Sequence, residues 1–118
     1  MEFKNDQAIY LQIADFICEN ILLKKWKEGE RIPSVREIAV ETEVNPNTAM
    51  RTFTFLQEKE IIYNKRGIGY FVSDDGYKKT LEYKKDEFLR NDMPLFFKNL
   101  KLVDMNIEEI AELYKNYK

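Results

Sequence analysis

The 118 residues carry a formal net charge of -2, with 44% hydrophobic and 34% charged side chains, the balance of one globular domain or one domain with a short appendage. Histidine is absent and cysteine occurs once, at Cys18, which removes the commonest general base, the usual zinc ligand sets and any internal disulfide. The four glycines stand apart from any phosphate-loop pattern, and no run reaches the ~18 apolar residues of a membrane span.

Ile9, Ile13, Phe16, Ile17 and Ile21 fall at helical spacing and predict an amphipathic first helix over 8–24, ended by the turn at Gly29. Arg31-Ile32 reads as a very short extended piece before Pro33. Ser34-Val35-Arg36-Glu37 has capping-box form, so a short second helix is expected over 35–42 with Val35, Ile38 and Ala39 inward. Glu43-Val44-Asn45 is a tight turn. Asn45 is a good N-cap, and Pro46 suits the first position of a third helix over 46–59.

The period then changes. Ile61-Ile62-Tyr63 and Tyr70-Phe71-Val72 are β-prone triplets separated by a stretch holding Asn64, Gly67 and Gly69, which predicts a hairpin ending near Ser73. Asp74-Asp75-Gly76 reads as a junction. Tyr77, Leu81, Phe88 and Leu89 then suggest a fourth helix that stops around Asp92, before Pro94. Leu95, Phe96, Phe97, Leu100, Leu102 and Val103 form a dense apolar stretch. Asn106 and Glu109 give a cap-like start to a final helix with Ile107, Ile110, Ala111, Tyr114 and Tyr117 on one face. The expected fold is mainly α with a small β-hairpin: a winged helix-turn-helix over residues 1–75, followed by a short helical segment over 76–118.

In a helix-turn-helix the start of the second motif helix enters the major groove of DNA. On the third helix here, Ala49, Phe53 and Leu56 should face inward, leaving Asn47, Arg51 and Thr54 outward with Thr48 and Phe55 flanking. Asn and Arg suit bidentate bonds to adenine and guanine edges, and Thr48 suits a phosphate. No acidic residue lies between Val44 and Gln57 or between Ile61 and Ser73, whereas those segments hold Arg51, Lys65 and Arg66. This gives a modest basic face on an acidic chain. Each feature also has a plain reading: lone arginines are commonly solvated, capping boxes start many helices, and paired glycines permit turns. From the residues alone, DNA binding is supported about as well as all other uses of the fold together, a protein-interaction or assembly module among them, and an enzyme is a distant third.

Residues 28–72 resemble the DNA-binding domain of the GntR family of bacterial regulators. Gly29-Glu30-Arg31-Ile32-Pro33-Ser34-Val35-Arg36-Glu37-Ile38-Ala39 is similar to its G-x-x-L-P-S-x-R-x-L-A signature. Val44-Asn45-Pro46-Asn47-Thr48 with Arg51 is similar to its recognition helix, and Arg66-Gly67-Ile68-Gly69-Tyr70-Phe71-Val72 to its wing. The resemblance implies DNA contact by Arg36, groove or phosphate roles for Asn47, Thr48, Met50 and Arg51, and minor-groove approach at Gly67. Ser34, Asn45, Lys65 and Arg66 complete the candidate DNA-binding set. Met50 stands where a polar or basic residue is frequent, which suits an apolar contact to a thymine methyl. Ile68 stands where the family often has a wing lysine.

The residues after Val72 are too few to enclose a dedicated small-molecule pocket. Their number and apolar helical faces resemble the YtrA subfamily, whose short extension mainly dimerises. Leu95, Phe96, Phe97, Leu100, Ile110, Tyr114 and Tyr117 are therefore the expected dimer contacts, against the alternative that they fold back on the winged helix. The expected protein is a sequence-specific transcriptional regulator, a repressor, binding a palindromic double-stranded operator as a homodimer. No catalytic residue, metal, cofactor or membrane association is expected, and no small-molecule effector is assigned. The opening residues lack the pattern of a secretory signal, and a lone cysteine suits a reducing compartment, so a cytoplasmic location is expected.

Overall fold

A computed structural model describes residues 7–118, so the part of the signal-peptide reading that falls on residues 1–6 lies outside the described residues. The element order is α1 (Ile9–Leu22), α2 (Val35–Thr42), α3 (Pro46–Glu58), β1 (Ile62–Lys65), β2 (Gly69–Val72), α4 (Gly76–Glu87), a π-helical turn (Phe88–Asp92), α5 (Met93–Leu102) and α6 (Ile107–Lys115). This is the expected mainly helical chain with one hairpin, a winged helix-turn-helix followed by helices. It forms two compact units, Met1–Lys84 and Lys85–Lys118. Among the described residues no helix is long and apolar enough to cross a membrane.

The core of the first unit gathers Ile13, Ala14, Ile17, Cys18 and Ile21 of α1, Ile38 of α2, Phe53 and Leu56 of α3, and Ile32, Ile61, Ile62 and Val72 around the hairpin. The buried stripe of α1 is shifted from the expected one. Ile9 is 48% exposed, while Ala14 and Cys18 are fully buried. Small side chains at 14 and 18 let the middle of the helix approach its neighbours, while Ile9 lies outside the core cluster. A left-handed Lys24, φ 60°, ends the run.

Local chemistry sets α2 and α3. The Ser34 hydroxyl accepts the Glu37 N–H at 3.1 Å, and the Glu37 carboxylate accepts the Ser34 N–H at 2.9 Å. Glu43 takes the left-handed conformation, φ 57° and ψ 44°, that closes α2. Asn45 Oδ1 then accepts the Asn47 N–H at 2.8 Å to open α3, with Pro46 in the first turn. The strands pair antiparallel with Ile62 opposite Val72 and Lys65 opposite Gly69. The extended piece expected at 31–32 lies along the hairpin: Arg31 bridges Phe71, and the Ile32 N–H donates to the Tyr70 carbonyl at 2.9 Å.

The buried face of α4 differs from the one that Tyr77, Leu81, Phe88 and Leu89 predict. Gly76 belongs to the helix, and the inward face is Gly76 and Thr80 with half-buried Tyr77, Tyr83 and Lys84, while Leu81, Phe88 and Leu89 are exposed. Close approach requires the small residue. A Cβ on Gly76 would lie 2.6 Å from Val72 Cγ1 and 2.9 Å from the Ile61 carbonyl. Tyr83 meets Phe55 of α3 edge-on at 5.7 Å, and Lys84 Nζ reaches Asp15 of α1 at 2.7 Å.

In the second unit the helix does not stop before Pro94. The backbone stays right-handed helical through Asp92 and Met93, and Pro94 sits in the first turn of α5. A π-helical turn is wider than an α-turn and shifts the hydrogen-bond pattern by one residue, which accommodates a ring that lacks an N–H. Asn106 and Glu109 form the expected capping box at the start of α6, with bonds of 2.9 and 3.1 Å. Tyr117 lies past the end of α6 rather than on it.

Candidate nucleic-acid interface

Buried Ala49, Phe53 and Leu56 hold one face of α3 in the core. The opposite face then projects outward: Asn47, Met50, Arg51 and Thr54 are exposed, and Thr48 is half-buried. Phe53 also meets Tyr70 of β2 edge-on at 4.7 Å, so the wing is pinned to the same helix that presents those side chains. Ser34 and Asn45 occupy the N-caps of α2 and α3, with their side-chain oxygens committed to helix N–H groups. Arg36 is exposed on the first turn of α2. Both helices thus direct N-terminal turns, with their partial positive charge, outward beside arginine or asparagine.

The wing presents Arg66, Gly67 and Ile68 at its tip, all exposed. Gly67 has φ +79°, and a Cβ there would meet no atom within 4 Å. Its glycine serves the turn and leaves open space above it. Lys65 is drawn back along the hairpin, its Nζ 5.3 Å from the centre of the Phe71 ring, which itself stacks on Tyr63 at 5.6 Å.

Two residues at this surface lie outside the expected DNA-binding set. Arg31 lies flat against the wing: a Cβ on Gly69, φ +144°, would fall 2.8 Å from its Nε. Its charge also reaches Glu37, whose carboxyl is held below the ordinary glutamate value mainly by the hydrogen bonds from Ser34 and to a lesser degree by Arg31. Tyr10 of α1 lies beneath Arg51, with the guanidinium carbon 3.9 Å from the ring centre. Neither apposition has a local signal, because each joins segments that meet only in the folded chain.

The residues expected at a dimer contact all lie in the second unit. Leu95, Phe96 and Phe97 are exposed, Tyr114 and Tyr117 are 78% and 82% exposed, and Ile110 is half-buried. Leu100 differs, being only 8% exposed in the single chain. Exposed Leu102, Val103, Ile107 and Leu113 extend the apolar surface beyond the expected set.

Residues 9–72 match the family described as bacterial regulatory proteins, gntR family. The HTH-type transcriptional regulator YhcF of Bacillus subtilis (strain 168) is 34% identical over 116 residues, covering 98% of this chain and 94% of that protein. The HTH-type transcriptional repressor YtrA of the same strain is 29% identical over 112 residues, covering 95% of this chain and 85% of that protein. A solved GntR-family transcriptional regulator from Bacteroides thetaiotaomicron shares 47% identity and superposes with a TM-score of 0.73, covering 92% of this chain and 94% of that one. These relatives are regulators rather than enzymes. The family match falls on the elements that build the helix-turn-helix and its wing, and the chain belongs to the gntR family of bacterial regulatory proteins, DNA-binding transcription regulators with a winged helix-turn-helix fold.

Proposed function

We propose that the chain is a cytoplasmic repressor that binds a palindromic operator as a homodimer, with α3 in the major groove and the wing over the adjacent backbone. The observation that carries this reading is the outward ridge of α3, where Asn47, Met50, Arg51 and Thr54 are exposed along a helix anchored by Ala49, Phe53 and Leu56. Asn47 and Arg51 have the donors and acceptors to read base edges, and Met50 suits a thymine methyl. Arg36, Ser34, Asn45 and Thr48 surround the two helix N-termini, where phosphate is favoured. Lys65, Arg66 and Gly67 give the wing its phosphate or minor-groove approach.

Residues 1–75 then carry DNA recognition, and residues 76–118 carry dimerisation. The start of α4 is seated in the first unit, where Gly76 and Thr80 are buried, so the pairing surface lies beyond it. Pairing through the second unit is supported by its exposed Leu95, Phe96, Phe97 and Tyr114, a density of apolar surface that one chain in water does not leave uncovered. A two-fold dimer places two recognition helices on the half-sites of a palindrome. The short helical extension and the near full-length similarity to YtrA support a place in the YtrA-like subfamily, and that relative's designation as a repressor supports the sign of regulation.

The test is a titration of the full-length protein on its own promoter region at several salt concentrations, with footprinting of the bound site. A protected inverted repeat and a salt-dependent affinity are expected. Binding no tighter than to random DNA would favour an assembly module that uses the same fold without an operator.

A further inference from the structure

We propose that Tyr10 is a positioning residue for Arg51, holding its guanidinium in place on the DNA-facing side of α3. This rests on the reading of α3 as the recognition helix and adds a residue of α1 to its machinery. Three interactions lock the pair. The Arg51 guanidinium carbon lies 3.9 Å from the centre of the Tyr10 ring. The edge of the same ring system is set by Phe55, one turn further along α3, with centroids 6.0 Å apart and planes at 78°. The hydroxyl of Thr52, fully buried, donates to the Tyr10 carbonyl at 2.7 Å and fixes the backbone beneath the ring. One residue of α1 therefore grips positions 51, 52 and 55 of α3.

The physical consequence is preorganisation. A free arginine samples many rotamers and loses that freedom when it binds DNA. Stacking on an aromatic face restrains the side chain in advance without consuming an N–H, because a cation–π attraction acts through the ring and not through a hydrogen-bond acceptor. The guanidinium donors remain for a base edge or a phosphate. Among the described residues no ion pair is formed by Arg51, so the ring is the partner that sets its position.

A double-mutant cycle on the full-length protein and its own operator tests this. Tyr10→Leu should weaken binding about three- to tenfold in the wild-type background, the range set by the strength of one cation–π interaction. In the Arg51→Ala background the same change should cost less than about twofold, since there is no guanidinium left to position. Tyr10→Phe, which keeps the ring face, should restore most of the affinity that Tyr10→Leu forfeits. Equal losses in both backgrounds would make Tyr10 a structural residue only and overturn the proposal. If Arg51→Ala weakens binding and Tyr10→Leu does not, the proposal alone fails; if Arg51→Ala itself changes nothing, the recognition role of Arg51 fails first and takes the proposal with it. Should Tyr10→Leu not fold, trifluorophenylalanine at position 10 preserves the shape while draining the ring face. Weaker operator binding than Tyr10→Phe supports the proposal, and equal binding overturns it.

Discussion

Arg36 and Arg51 stand on different helices of the motif, both exposed, and neither fills the core. Arg36→Ala should therefore leave the unfolding midpoint nearly unchanged, and Arg51→Ala should lower it only by the loss of its stacking on Tyr10. Each replacement should cost ~1–3 kcal/mol of operator affinity and relax base preference at one position per half-site if the contact is to a base edge. Unchanged titrations for both variants would remove these residues from the interface. Gly67 offers a separate test. Aspartate tolerates the left-handed backbone that φ +79° imposes, and open space surrounds the position. Gly67→Asp should thus keep the hairpin while placing a carboxylate where phosphate is expected. A large loss of DNA affinity with a small shift in thermal midpoint is the expected outcome, and unaltered affinity would show that the wing tip stays clear of DNA. The two faces of α3 were legible in the sequence because Ala49, Phe53 and Leu56 mark one side at helical spacing. Tyr10 and Arg31 were not, since each acquires its place from a partner distant along the chain.

Elements with strong local signals are legible in the sequence, and those governed by tertiary fit are not. The caps at Ser34, Asn45 and Asn106 place the starts of α2, α3 and α6, because each satisfies free N–H groups with its own side chain. The capping box also carries a pH signature. Hydrogen bonds from Ser34 hold the Glu37 carboxyl below its ordinary value of 4.5, so its contribution to stability is present above that pH and is lost as the pH falls through the lowered folded value. Glu37→Gln should accordingly show a shallower loss of stability on acidification than the parent, measured by denaturant unfolding over a pH series; identical slopes would deny the charge any role. In α4, by contrast, the apolar residues Leu81, Phe88 and Leu89 face outward, and the helix seats through Gly76 and Thr80. Hydrophobic periodicity misleads where a small residue makes the close approach. Gly76→Ala should destabilise the protein by ~1–3 kcal/mol through overpacking, although alanine is the better helix former. A neutral or stabilising result in calorimetry would show that Val72 and the Ile61 backbone yield easily. Pro94 misled for a related reason: the rule that proline ends a helix assumes α-type hydrogen bonds up to that point, and here a π-helical turn precedes it.

For the whole molecule, weak charge and exposed apolar surface together argue for assembly. The chain is acidic overall, and its motif offers few basic residues, so a single copy should hold a half-site poorly. Joining two copies makes the second binding event intramolecular and raises affinity without any new interaction. The place to cut the chain follows from the structure. A break after Ser73 would strip Gly76, Thr80 and Tyr83 from the first unit and leave Asp15 without Lys84. A break after Lys84 keeps these residues in place, so the shortened chain should stay folded, remain monomeric and lose most operator affinity. Phe96→Asp with Phe97→Asp in the full chain should act the same way, because both rings are exposed and both belong to the second unit. Sedimentation at micromolar concentration and a DNA titration on all three proteins provide the measurement. A full chain that sediments as a monomer yet binds a palindrome tightly, or a shortened chain that binds it as well as the full one, would separate DNA recognition from the second unit and leave its apolar surface to some other partner.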